Sequence, residues 1–238
     1  MSAISSPRRL VAIDALRGLA LVAMVVFHAA RDLEILGAIP AGTTLSGFWY
    51  YFARAIAGSF LFLAGVSLVL AHGHRFRPDA FFKRLGLVGA AAGLVSIATW
   101  FSMPSQFVYF GILHSIALCS LIGIAFVQLP SLVTLAAAVV VFVVDAYFAR
   151  SLQLPAWAAF TGLSATVRPS IDFEPLIPWF GPFLLGVSFA QTTMLSLLVL
   201  NSRSSRPITA LAWLGRQSLL IYLVHQPILL GVLWLAFG

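Results

Sequence analysis

The sequence predicts an all-α membrane protein, a polytopic bundle of about seven transmembrane helices, and three observations support this fold class. The 238 residues are 61% hydrophobic and only 9% charged, whereas soluble domains carry about 25% charged residues. Apolar runs of about 20 residues, long enough to cross a bilayer, recur along the whole chain. The net charge of +7 lies mostly in short segments between these runs, which indicates membrane topology and argues against nucleic-acid binding.

Seven expected spans follow from the apolar runs, and no linker or clear repeat separates them. They are 10–31, 48–71, 84–101, 107–127, 131–149, 176–198 and 209–237. The last span is expected to contain an interfacial turn near Gly215. We therefore expect residues 1–238 to form a single membrane domain.

The basic residues between the spans predict the orientation. One side holds Arg8, Arg9, Arg75, Arg77, Lys83, Arg84, Arg203, Arg206 and Arg216. The other side holds Arg31, Arg54, Arg150 and Arg168. Because cytoplasmic loops carry the excess of Lys and Arg, we expect a cytoplasmic N-terminus and a C-terminus outside.

The first span carries ionisable residues that are unusual at bilayer depth. Asp14 and Arg17 are spaced for an i,i+3 ion pair. His28 follows Arg17 by eleven residues, which returns to within about 20° of the same helix face after a rise of about 16 Å. Intramembrane charge costs roughly 3 kcal/mol on insertion scales and usually faces a protein interior. A functional face is therefore predicted; a structural ion pair with a headgroup-level His is the alternative.

Two further histidines lie within apolar runs. His114 is deep in the fourth span, where a structural and a functional histidine explain the pattern equally well. In the last span Ser218, Tyr222 and His225 share one helix face through their spacing of four and three residues. Such a polar face is expected to point into the bundle. His28 and His114 lie at similar depth from the outer end and could meet in one cavity.

Glycines in the second and third spans predict close helix packing. Gly58 and Gly65 share a face with Arg54, and Gly89-x-x-x-Gly93 is a packing motif of membrane helices. Arg54 itself has two interpretations that the sequence leaves open. Its side chain could extend to the interface, or it could bind an anionic group.

The segment after the second span is strongly basic. Arg75, Arg77 and Arg84 lie there and are expected on the cytoplasmic side. His72, beside them, is expected to be solvated. Two histidines in this segment without a third ligand make a weak metal site.

The longest outside segment joins the fifth and sixth spans. A long loop in a compact protein often forms a lid or a binding loop. Asp172 and Glu174 lie near its end. They could contact a substrate, or they could stabilise the start of the sixth helix through the helix dipole.

These residue types suit two classes of function. A histidine base toward the outside and an arginine anion clamp toward the cytoplasm fit group transfer across the membrane. A small proton-coupled transporter or lipid-handling protein uses the same residue types. A purely structural membrane subunit is a third alternative. No metal is expected, because the intramembrane histidines lack ligand spacing.

A series of short motifs runs along nearly the whole chain. They are RRL at 8–10, IDALRG at 13–18, MVVFH at 24–28, FLFLAGVS at 60–67, FGILH at 110–114, PWFG at 178–181, LGRQSL at 214–219 and YLVHQP at 222–227. Together they resemble the catalytic-domain family of heparan-alpha-glucosaminide N-acetyltransferase. The spacing of Arg17 and His28 is also similar to the first-helix pattern of the acyltransferase 3 family, in the same superfamily.

The resemblance implies a bacterial acyltransferase of the inner cell membrane. Its donor would be a cytosolic acyl-CoA such as acetyl-CoA, and its acceptor an amino sugar or other glycan on the extracytoplasmic side. By position, the resemblance carries over to Arg17, His28, His114 and His225. With Asp14, which is expected to orient Arg17, these are the predicted catalytic residues. The predicted donor-binding residues are Arg17 with Arg75, Arg77 and Arg84 of the basic segment, and those predicted for the acceptor are Arg54, Asp172 and Tyr222. The expected partner is the lipid bilayer. The resemblance does not decide whether the protein forms a homo-oligomer.

One departure from the family pattern affects the assignment of the base. The active histidine of the lysosomal member lies in the first outward loop, whereas Arg31 to Gly47 contains no histidine here. The role of His28 as base therefore depends on the acyltransferase 3 pattern.

Overall fold

A computed structural model describes residues 11–192 and 205–237. Eight α-helices occur in these ranges: α1 (Val11–Ile35), α2 (Gly47–His72), α3 (Pro78–Ser102), α4 (Ile112–Gly123), α5 (Ser131–Phe148), α6 (Leu176–Ala190), α7 (Arg206–Arg216) and α8 (Ser218–Phe237). Short 3₁₀ turns and two isolated bridges complete the regular structure of this part of the chain. The all-α prediction is confirmed. Arg8, Arg9 and Arg203, used for the orientation, lie outside the described residues.

Five of the described helices are long and apolar enough to cross a membrane. They are α1, α2, α3, α5 and residues 218–236 of α8. The protein is therefore an integral membrane protein, and five such helices stand where seven spans were expected. The fourth and sixth expected spans correspond to shorter apolar helices, Ile112–Phe126 and Leu176–Ala190. The end of the sixth, at 193–198, falls outside the described residues.

The fourth span is shorter than expected because its first residues form other backbone hydrogen bonds. Val108 donates its N–H to Oγ1 of Thr99 at 3.0 Å, and its carbonyl accepts a bond from Ser96 at 2.6 Å. The Phe110 carbonyl accepts a bond from Glu174 N–H at 3.0 Å. Residues 107–111 are thus held by α3 and by the segment before α6, and the helix begins only at Ile112.

The last expected span, 209–237, is divided in two. Helix α7 ends at Arg216 and α8 begins at Ser218, so a break lies at Gln217. This is two residues from Gly215, where a turn was expected. The interruption separates an 11-residue helix from a 20-residue helix that carries the polar face.

Packing divides the chain into two compact units, Met1–Phe52 with Met194–Gly238, and Ala53–Thr193. In the first unit α1 packs against α7 and α8. Gly18 of α1 lies directly against the Leu211 carbonyl of α7, and Gly215 lies against the backbone of Asp14. A side chain at either glycine would collide with backbone atoms, so the two helices meet only because both positions lack a Cβ.

In the second unit α6 lies against α4 and α5, and α4 contacts α3. Its core includes the fully buried side chains of Leu61, Val66 and Phe183. Gly65 lies against the backbone of Phe183, and Gly186 lies against the backbone of Phe62. The expected close packing at Gly65 is therefore confirmed.

The predicted packing role of Gly89 and Gly93 is wrong for the contacts that the structure describes. A Cβ placed at either position on α3 would meet no described atom within 4 Å. The physical reason is orientation, because small residues favour close approach only on a face that meets another helix. Among the described residues this glycine face of α3 meets no other helix, although its spacing matches the motif.

Candidate functional site

The Asp14–Arg17 ion pair predicted in the first helix is present. An Arg17 guanidinium nitrogen lies 3.1 Å from Oδ1 of Asp14. The two side chains are 25% and 13% exposed, so the pair is largely enclosed. Because α1 is one helix from Val11 to Ile35, this pair and His28 lie on the same element.

Two of the predicted histidines meet in the first unit. The ring centroids of His28 on α1 and His225 on α8 lie 4.8 Å apart, with a tilt of 60° between the rings. His225, on the polar face predicted for the last helix, is thus turned toward α1. Tyr222, one turn before His225, places its ring 5.6 Å from the same imidazole. The contact between the two imidazoles forms the centre of the candidate site.

The hydrogen bonding of His225 determines which ring nitrogen is available. Its Nδ1 lies 2.6 Å from the Tyr222 carbonyl oxygen. A carbonyl oxygen only accepts, so this network assigns the proton to Nδ1 and leaves the lone pair of the neutral ring on Nε2. The Nε2 atom is buried and has no hydrogen-bond partner among the described residues. His225 therefore carries a preorganised, unused proton acceptor.

A second polar pair lies next to the histidines and was missed by the sequence reasoning. Gln226 donates a hydrogen bond from Nε2 to Oδ1 of Asp32 at 2.8 Å, which joins α8 to α1. Asp32 is only 2% exposed. It follows His28 by four residues, one helical turn, and Gln226 directly follows His225. The expected first span ends at residue 31 and therefore leaves Asp32 outside the helix, although α1 continues to Ile35.

The end of α1 is also tied to the segment that follows it. Glu34 accepts hydrogen bonds from the backbone N–H groups of Gly42 at 2.8 Å and Thr44 at 2.6 Å. It also accepts one from the Thr44 hydroxyl at 2.5 Å and one from Arg31 at 2.9 Å. Arg31 donates a further bond to the Thr44 hydroxyl at 3.1 Å. This network holds the first turn after α1 in place, close in sequence to Asp32.

His114 lies in the second unit, and both of its ring nitrogens are occupied. Nδ1 accepts a hydrogen bond from Gly111 N–H at 3.2 Å, at the start of α4. Nε2 lies 3.2 Å from the Ser96 hydroxyl, which donates its own proton to the Val108 carbonyl. Nε2 is therefore the donor to Ser96. These contacts are those expected of a structural histidine. The catalytic role of His114 stays a prediction.

Asp172 lies at the start of α4, whereas the sequence suggested the start of the sixth helix. Its Oδ2 accepts a hydrogen bond from the Ile112 N–H at 3.1 Å, at the start of α4. Burial and the Asp172 carboxylate raise the pKa of Glu174 well above its usual range, against the opposing effect of Arg54. Arg54 is exposed, with its guanidinium 5.1 Å from the Trp179 ring centroid. Acceptor binding by Arg54 and Asp172 stays a prediction.

The expectation that His72 is solvated is wrong. His72 is only 3% exposed, and its ring lies 5.6 Å from the rings of both Phe76 and Phe81. Its Nδ1 also accepts a 3.4 Å hydrogen bond from Arg77 N–H. The turn after α2 brings these aromatic side chains back over the helix end, a contact that local polarity does not reveal.

The basic segment itself stays at the surface. Arg75, Arg77 and Arg84 are exposed. The Arg77 side chain also donates a 3.3 Å hydrogen bond to the Ala71 carbonyl. These three arginines belong to the second unit, whereas the Asp14–Arg17 pair belongs to the first. Their predicted role in donor binding stays a prediction.

The described residues contain no group of three or more His, Cys, Asp or Glu side chains that could hold a metal ion. A family model described as heparan-alpha-glucosaminide N-acetyltransferase, catalytic, matches residues 9–227. Comparisons with curated proteins and with solved structures found no match. The matched region contains the ion pair of α1, the His28–His225 contact and the Asp32–Gln226 bond. The chain therefore belongs to the catalytic family of heparan-alpha-glucosaminide N-acetyltransferase, which indicates a membrane acetyltransferase.

Proposed function

We propose that the protein transfers an acetyl or other acyl group from cytosolic acyl-CoA to an acceptor on the extracytoplasmic side of a bacterial inner membrane. The acceptor class is an amino sugar or another glycan. The observation that carries the proposal is the contact between His28 and His225 in a chain of this family. Two imidazoles at 4.8 Å, one with an unused buried lone pair, are suited to moving a proton during acyl transfer.

Arg17 is the proposed clamp for the phosphates of the donor. A guanidinium forms strong charge-assisted hydrogen bonds with phosphate oxygens, and Asp14 holds this guanidinium through a 3.1 Å ion pair. Arg17 and His28 are separated along α1 by a rise of about 16 Å. That separation suits a donor whose phosphates and thioester lie at opposite ends of a long flexible arm. Arg75, Arg77 and Arg84, exposed basic residues of the second unit, are also proposed to contribute to donor binding.

The proposed chemistry uses the two histidines in sequence. His28 accepts the proton of the acceptor N–H or O–H, and Nε2 of His225 accepts it from His28. The freed nitrogen or oxygen forms a bond to the thioester carbonyl carbon, and the carbon–sulfur bond breaks. The CoA thiolate leaves and takes up the proton. General base catalysis of this kind contributes about 10²- to 10⁴-fold to a rate.

The first test is thermal stabilisation of the purified protein by acetyl-CoA. A ligand that binds only the folded state stabilises it by RT ln(1 + [L]/Kd), about 2.7 kcal/mol at a hundredfold excess over Kd. We expect a clear rise in Tm for the wild type and its loss in Arg17→Ala. Arg150→Ala is the matched control, because Arg150 is an exposed arginine of the other unit. His72→Ala is unsuitable as a control, since His72 is buried.

A well-folded wild type that is not stabilised by acetyl-CoA would contradict the donor assignment. Equal stabilisation of Arg17→Ala and wild type would contradict the role of Arg17. Uptake of a solute into vesicles without consumption of acyl-CoA would favour a proton-coupled transporter. Release of free CoA that depends on an added acceptor would support transfer directly.

A further inference from the structure

The bond between Asp32 and Gln226 leaves one oxygen of each side chain unused. Gln226 Nε2 donates to Asp32 Oδ1 at 2.8 Å. Asp32 Oδ2 and Gln226 Oε1 are both buried and have no hydrogen-bond partner among the described residues. Buried polar atoms are nearly always paired, so two unpaired oxygens on bonded side chains need an explanation.

The chemistry of the two unused atoms specifies what would satisfy them. An amide oxygen accepts hydrogen bonds only, and an ionised carboxylate does the same. The Asp32 side chain is buried, with only 2% of the residue exposed. It forms no ion pair with a described residue within 4.0 Å. A group that donates hydrogen bonds would satisfy both oxygens, and a cation would also offset the charge. An anion would be repelled. The pair therefore favours a hydroxyl or amine ligand.

The position of the pair connects it to the proposed reaction. Asp32 lies one helical turn beyond His28, a rise of about 6 Å along α1, and Gln226 is the neighbour of His225. We propose that Asp32 and Gln226 form a subsite that holds hydroxyl or amine groups of the acceptor beside the histidine pair. This inference rests on the proposed function. It makes Asp32 a residue of acceptor specificity, separate from the donor clamp at Arg17.

The test measures donor and acceptor binding separately in the full-length protein. The probes are acetyl-CoA, glucosamine, glucose, and a fully O-methylated glucose that lacks hydroxyl donors. Titrations followed by thermal stabilisation give an apparent Kd for each probe. We expect glucosamine and glucose to stabilise the wild type more than the O-methylated sugar does.

The informative variant is Asp32→Asn. Asparagine keeps an oxygen that can accept the Gln226 bond, but it replaces the unused acceptor by an amide donor. We expect its apparent Kd for glucosamine to rise at least tenfold, which is about 1.4 kcal/mol, with the Kd for acetyl-CoA unchanged. Asp145→Asn is the matched control, an acid-to-amide change on α5 in the other unit. If Asp32→Asn does not fold, Gln226→Met removes the other unused oxygen at similar side-chain length, with the same expected loss.

The two proposals fail in different ways. Unchanged glucosamine binding in both variants, no preference for sugars with free hydroxyls, or no stabilisation by any sugar would overturn the subsite. Acetyl-CoA binding that does not depend on Arg17 would overturn the donor assignment alone. Sugar binding that depends on Asp32 in a protein without acetyl-CoA binding would retain the subsite and remove the transfer reaction.

Discussion

His225 in the first unit and His114 in the second unit differ in how their imidazoles are bonded. Both lie in apolar helices, and both bond a backbone group through Nδ1. The Nε2 atom of His114 is taken up by Ser96, whereas Nε2 of His225 is buried without a protein partner among the described residues. His114 also helps to start a helix, while His225 contacts a second histidine.

This difference favours His225 over His114 for the proposed proton transfer. A ring with both nitrogens bonded to protein is held in one tautomer and has no lone pair left for a substrate. A ring with one nitrogen bonded to a carbonyl keeps its orientation and leaves the other nitrogen as an acceptor. His225 has the second arrangement, which suits its proposed role of accepting a proton from His28. The sequence alone places both residues in apolar runs and does not separate them.

The largest expected effect separates the two histidines by activity. We expect His225→Ala to lower the rate of acceptor-dependent CoA release by about 10²- to 10⁴-fold, the usual contribution of general base catalysis. His74→Ala is the matched control, since His74 is exposed. The rates are compared per folded molecule, with acetyl-CoA stabilisation as the check on folding. A rate of CoA release within threefold of wild type for His225→Ala would contradict the proposed role of His225 in proton transfer.

Gly65 and Gly89 differ in whether their helix face meets another helix among the described residues. A Cβ at Gly65 would collide with the Phe183 backbone, whereas one at Gly89 would meet no described atom within 4 Å. Overpacking of this kind costs about 1–3 kcal/mol. Gly65→Ala should therefore lower the Tm in detergent clearly, and Gly89→Ala should leave it unchanged or raise it slightly, because alanine favours helix. An equal loss of Tm in Gly89→Ala would mean that this face of α3 is covered in the solubilised protein.

The sequence predicted those features that depend on neighbours within one helix. The Asp14–Arg17 pair follows from a spacing of three residues, and the polar face with His225 follows from helical periodicity. Periodicity also indicated that Gly65 and Gly89 favour close packing, but it does not say which helix face meets a neighbour. Only the arrangement of the helices decides that, and it confirmed one glycine position and contradicted the other.

The sequence alone did not predict contacts between residues of separate elements. The partner of Asp32 is 194 residues away, and the end of α1 had to be known before this acid could be placed in a helix. His72 is buried by Phe76 and Phe81, which return to it only after a turn. The sequence predicted a solvated His72 and left Asp32 outside the first span, because burial near a helix end depends on what folds back over it.

The smallest expected effect tests the structural role of His114. His114→Ala removes the bonds to Gly111 and Ser96. Side-chain hydrogen bonds between membrane helices contribute about 0.6 kcal/mol on average, so a loss of about 1 kcal/mol and a modest fall in Tm are expected. His114→Gln should recover part of this loss, because glutamine at the third helical position can bond back to the helix start. The expected ordering of Tm is wild type, then Gln, then Ala. If His114→Ala kept its Tm and lost CoA release as severely as His225→Ala, His114 would be part of the chemistry, and the occupied nitrogens would have to exchange partners during the reaction.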